Sequence, residues 1–168
     1  KNLTVSNLEA NIEELTAQNA ELTDELDGSP EDEAAADAYE KLIAANNYYE
    51  AEDKTNAASS LIGISRDAFT SDTTKGMYDT IANNCFAEVA TTYYEQGKNK
   101  YDAGDYAGAV ESLQKSYALN SESEDSLYYL VMSYELADMH DEASNYYNIF
   151  NEKYPDSEYQ SSIIQYLQ

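Results

Sequence analysis

The side chains that carry most enzymatic chemistry are scarce in this chain. His140 is the single histidine, so a metal centre built on several imidazoles has no ligands and a histidine-based triad has one possible base. It occupies a predicted turn, where packing or a surface position accounts for it. Cys85 is the single cysteine and cannot close an intramolecular disulfide. It falls on an apolar stripe at helical spacing and reads as a packed core thiol rather than a nucleophile. Ser112-Leu113-Gln114-Lys115 has the Ser-x-x-Lys spacing of a serine acyltransferase, but it lies in mid-helix, where each residue has a packing assignment. Asp24-Glu25-Leu26-Asp27-Gly28 is the nearest approach to a calcium-wrapping loop and lacks its alternating oxygen ligands. The expectation is no enzyme, no cofactor and no metal site, with the carboxylates solvating helix faces.

The remaining chemistry is charge and aromatic surface. Nine Lys and Arg stand against 33 Asp and Glu, a net charge of -24, and a field of that sign repels phosphate backbones and anionic headgroups. Nucleic acid and membrane surfaces are thereby excluded as partners. The 17 tyrosines and a hydrophobic fraction of 42% supply a core that a disordered acidic segment would lack. Six Gly, two Pro and no alternating apolar runs leave too few turns for a sandwich or barrel, so the fold class is all-α. At 168 residues the chain is one domain or one domain with an extension. It opens Lys-Asn-Leu and has no apolar run of membrane-spanning length, which reads as part of a longer protein whose anchor lies upstream. The scarcity of lysine and the abundance of Asn, Ser, Thr and carboxylates match bacterial surface proteins, so the expected location is extracytoplasmic.

Residues Val5, Leu8, Ile12, Leu15, Asn19, Leu22 and Leu26 are spaced alternately by three and four, the period of a coiled-coil seam. A buried Asn19 at an a position would fix register and favour a parallel dimer. The same spacing also suits a single amphipathic helix packing on its own domain. Gly28-Ser29-Pro30 ends it, so 1–27 is read as the coiled-coil helix and 28–32 as a linker. Residues 33–89 read as a degenerate helical hairpin plus a long helix. Tyr39, Leu42 and Ile43 fall on its first helix, and Tyr48, Tyr49, Ala51 and Ala58 lead to Leu61, Ile62 and Ile64 on its second. The long helix starts at Ser71 as N-cap, and its stripe from Met77 to Tyr93 meets no breaker before Gly97.

From residue 90 onward the chain repeats itself at an offset of 34. Gly104-Asp105-Tyr106-Ala107-Gly108-Ala109 lies over Asp138-Met139-His140-Asp141-Glu142-Ala143, and Tyr93 lies over Leu127. Ala109 and Ala143 are small where two helices cross closely, Gly104 and Asp138 fall where the turn needs a permissive backbone, and Pro155 stops the last helix of the second unit. Paired helices at this period resemble the tetratricopeptide repeat, with Gly97, Tyr106, Ala109, Tyr134, Ala143 and Pro155 at the family's positions and Tyr93 in place of its Trp. Ser121, Val131, Ser116 and Phe150 depart from the pattern, and Phe150 followed by Lys153-Tyr154-Pro155-Asp156-Ser157 is similar to a variant found in bacterial envelope proteins. The resemblance implies two units and a capping helix over 90–168, coiling as a right-handed superhelix after the N-terminal coiled-coil helix.

It also implies a concave groove lined by the first helix of each unit. Carried over position by position, the lining is Thr91, Tyr94, Lys98, Tyr101 and Asp102, then Asp125, Tyr128, Met132, Glu135 and Leu136, with Tyr159, Ser162 and Tyr166 from the third helix. Tyr93, Tyr106, Tyr117, Tyr134 and Tyr147 fall at packing positions instead. The function this implies is a non-enzymatic scaffold that binds a neutral or basic peptide or protein through a tyrosine-lined strip. The alternative is an oligomerisation stalk whose coiled coil is the working part.

Overall fold

A computed structural model describes residues 33–167, together with Thr16, Ala17 and Ala20. The heptad positions Val5, Leu8, Ile12, Leu15, Asn19, Leu22 and Leu26 lie outside the described residues, as does the linker 28–32. The described residues form helices and turns, with no strand among them. They divide into two compact units between Ala82 and Asn83.

In the first unit α1 (Glu33–Glu50) packs against α2 (Lys54–Ser60) and α3 (Asp72–Ile81). The sequence places Tyr48 and Tyr49 on the second helix of this hairpin; in the structure both belong to α1, and Ile62 and Ile64 lie beyond the seven residues of α2. No Gly or Pro marks the turn, which is why its position escapes a reading of breakers. Glu52 makes it by adopting φ +61, the left-handed conformation that usually ends helices at glycine. Asp53 then caps α2, its Oδ1 accepting from the Asn56 N–H at 3.0 Å. The following loop is pinned to the helices. Tyr39, packed edge-on to Phe69 at 5.4 Å, accepts from the Thr70 N–H through its hydroxyl, and Arg66 Nε donates to both oxygens of Asp79 at 2.8 and 3.0 Å. Leu42, Leu61, Phe69 and Ile81 are the large buried side chains of this unit.

Ser71 caps α3 as expected, accepting from the Thr74 N–H at 3.1 Å. A π turn, Ala82–Phe86, follows it and carries the fully buried Cys85. In the second unit α4 (Ala87–Asp102) packs against α5 (Tyr106–Leu119), α5 against α6 (Glu124–Leu136), α6 against α7 (His140–Lys153), and α6 also against α4 and α8 (Gln160–Tyr166). This is the expected antiparallel helix pairing of a helical repeat. Helix α4 does not stop at Gly97 but runs through it, because α5 crosses there: a Cβ on Gly97 would stand 2.5 Å from Leu113 Cγ. Ala109 on α5 and its repeat equivalent Ala143 on α7 are fully buried. Gly104 (φ +79) and Asp138 (φ +58) make the two equivalent left-handed turns. Two clusters form the core, one around Leu113, Leu130 and Tyr134, the other around Leu127, Val131, Phe150 and Ile163. Each such side chain contributes about 1.5–3 kcal/mol by leaving water.

Candidate partner-binding site

Because α4, α6 and α8 occupy equivalent places in successive repeats, residues 34 apart come to lie side by side. Asp125 and Tyr159 are such a pair, and the Tyr159 hydroxyl donates to Asp125 Oδ1 at 2.8 Å. The layer made by these helices carries a connected set of tyrosine rings. Tyr128 stacks on Tyr159 at 4.1 Å with the planes 14° apart. Tyr129 sits at the middle, edge-on to Tyr94 (6.0 Å), Tyr101 (5.2 Å) and Tyr128 (5.0 Å), and Tyr101 also meets Tyr106 at 5.5 Å. Such pairs add about 0.5–1.5 kcal/mol each beyond area burial, so the rings hold one another in place before any partner arrives.

The expected lining residues take different roles. Tyr94, Tyr101, Tyr128 and Tyr159 are half-buried members of the ring set, and Tyr166, at the end of α8, is 51% exposed. Asp125 is exposed at the start of α6. Lys98 is not a free cation: its Nζ donates to Asp102 Oδ2 at 2.6 Å and lies 5.4 Å over the Tyr129 ring, and that hydrogen bond raises its pKa. Met132 offers no surface, since it is 1% exposed and packs with Leu127, Val131, Phe150 and Ile163. Glu135 turns to the following turn, where its Oε2 accepts from His140 Nδ1 at 3.0 Å. Met132 is therefore corrected from groove lining to core, while Glu135 is half-buried and paired with the start of α7. The residue missed from the sequence is Tyr129. It stands one position off the family's lining pattern, and the visible signal was the repeated Tyr-Tyr doublet at 93–94, 128–129 and 146–147.

Burial pushes the Tyr101 hydroxyl up to about 12, and burial with the neighbouring Asp125 raises Tyr94. Tyr159 is raised chiefly because its proton is held by Asp125. All three are neutral hydrogen-bond donors at physiological pH. Beside this array an open cleft of about 80 Å³ is bounded by Thr91 and Tyr94 of α4, Asn120 of the α5–α6 turn, and Asp125. Its floor is a chain of hydroxyls: Ser123 Oγ donates to Ser126 Oγ (2.8 Å), Ser126 Oγ lies 2.9 Å from Ser116 Oγ, and Ser116 donates to the Ala90 carbonyl (2.9 Å). Among the described residues no group of His, Cys, Asp or Glu is placed to hold a metal, and no helix is long and apolar enough to cross a membrane.

Antiparallel helix pairs, close crossings at small residues and a shared aromatic face define a helical-repeat protein of the kind that binds other proteins. Residues 125–157 match the family model of the tetratricopeptide repeat, so the unit formed by α6 and α7 is a repeat of that family. No curated protein and no solved structure matches the chain.

Proposed function

We propose that this chain is a non-enzymatic scaffold that binds a neutral or basic peptide segment across the tyrosine layer of α4, α6 and α8, at the bacterial cell envelope. One observation carries the reading. Five tyrosines of the first helices of successive repeats, Tyr94, Tyr101, Tyr128, Tyr129 and Tyr159, form one ring network, joined by Tyr106 of α5, where a purely structural helix face would be covered with charge. Rigid rings with a hydroxyl donor give contact area at low entropic cost. The sign of the partner follows from charge. Residues 83–168 carry 15 carboxylate side chains and four lysines. Lys98, Lys100 and Lys153 are hydrogen-bonded within the unit, and Lys115 lies over the Tyr93 ring. An acidic segment would meet unopposed repulsion, and a neutral or basic one would not. The envelope location rests on composition and on the similarity of the Phe150 to Ser157 stretch to envelope repeats.

The test is selection from a random displayed-peptide library with the whole chain as bait, against a Tyr94→Ala, Tyr128→Ala double variant. Peptides low in Asp and Glu should be enriched, and the variant should bind them at least about tenfold more weakly with unchanged helicity. Enrichment of acidic peptides, or equal binding by the variant, would reject the tyrosine layer as the site.

A further inference from the structure

We propose that the cleft beside the tyrosine layer seats one positively charged side chain, an arginine or lysine, of the bound segment, so that the site selects its partner by a cation at a fixed place. This deepens the reading above and rests on it. Three features of the cleft point to a cation. Its one charged wall is Asp125, and the Tyr159 hydroxyl occupies only Oδ1 at 2.8 Å, leaving Oδ2 with no donor among the described residues. The Tyr94 ring forms part of another wall, and aromatic faces attract ammonium and guanidinium groups. The remaining polar lining, Thr91, Asn120 and Ser123, presents oxygen atoms that can accept from a fork of N–H donors. The nearest lysine on α4, Lys98, is drawn one turn away toward Asp102, so its charge is already paired. At about 80 Å³ the cleft has room for the end of one side chain, not for a folded partner.

The experiment uses the whole chain, isotopically labelled, and follows backbone amides by NMR at near-physiological salt, where diffuse attraction to an acidic surface is screened beyond about 8 Å. The probes are N-acetyl-arginine methylamide and its neutral isostere N-acetyl-citrulline methylamide. The arginine probe should shift the amides of Thr91, Tyr94 and residues 120–126 saturably, with the citrulline probe at least about tenfold weaker, since a hydrogen bond to a charged group is worth about 1.5–3 kcal/mol. Asp125→Asn, which keeps an acceptor for Tyr159, should weaken the arginine probe by about the same factor. Equal midpoints for the two probes, non-saturating shifts scattered over the acidic surface, or an unchanged midpoint in Asp125→Asn would each overturn the proposal. The comparison of probes on the unaltered chain needs no variant to fold. If the cleft fails while library peptides still bind and are lost in Tyr94→Ala, Tyr128→Ala, the tyrosine layer stands and only the cation seat falls.

Discussion

Gly97→Ala should destabilise the second unit, although alanine is the better helix former. Two terms compete. In a helix interior the change from Gly to Ala is worth roughly 1 kcal/mol in favour of the variant. Against it, the new Cβ would lie 2.5 Å from Leu113 Cγ, 2.9 Å from Leu113 Cδ2 and 3.2 Å from the Leu113 backbone nitrogen. Carbon atoms prefer about 3.5–4.0 Å, so the first two contacts are hard overlaps. A new rotamer of Leu113 could relieve those two, but the backbone contact remains, and relieving it requires α4 and α5 to move apart. Overpacking of this kind costs about 1–3 kcal/mol, which leaves a net loss of about 1 kcal/mol. Urea denaturation followed by far-UV circular dichroism and tyrosine emission reads it directly. In a Leu113→Ala background, itself costing about 2–5 kcal/mol, the same substitution should be close to neutral or stabilising, a coupling of at least about 1 kcal/mol. A stabilised Gly97→Ala protein, or strict additivity of the two changes, would refute the argument that close crossing keeps this position glycine.

Asp138→Gly should raise stability by about 0.5–1 kcal/mol, because Asp138 holds φ +58 at the turn where the preceding repeat has Gly104 at φ +79; a lowered thermal midpoint would count against it. His140 should titrate above its ordinary value of about 6.5, since its Nδ1–H is held by Glu135, and Glu135→Gln should return it toward that value. Its contribution to folding is fully present below about pH 6.5 and fades as pH rises through the raised folded value. An imidazole midpoint at or below about 6.5 in the intact chain, read by proton NMR, would contradict this. For the heptad, light scattering should show dimers or trimers that disappear when residues 1–29 are removed, while Asn19→Leu should strengthen association and loosen its specificity. A monomer with the heptad intact would remove the dimer.

Much of the second unit was legible because its constraints are local and repeated. The offset of 34 placed Gly104 over Asp138 and Ala109 over Ala143, and turn backbone and crossing distance demand those residue types wherever the repeat occurs. The first unit was less legible. Its α1–α2 turn is made by Glu52 in a conformation that a glutamate's chemistry does not announce, so Tyr48 and Tyr49 went to the wrong helix.

The site divides along the same line. Periodicity determined the helical class and the repeat length, because a side chain's direction on a helix follows from its number, and the family resemblance implied which helices share a face. Which of those side chains remain available was decided by tertiary packing. Met132 and Tyr128 occupy the same helix four residues apart, yet Met132 is sealed among Leu127, Val131, Phe150 and Ile163 while Tyr128 stays half-open against Tyr159. Tyr129 became the hub of the ring network only because α4 and α6 pack together and bring Tyr94 and Tyr101 to its edges. The cleft, too, is assembled from α4, the α5–α6 turn and the start of α6. Its lining runs from Ala90 to Ser126, 36 residues apart in the chain, so a distance set by helix packing, and no local spacing, brings it together.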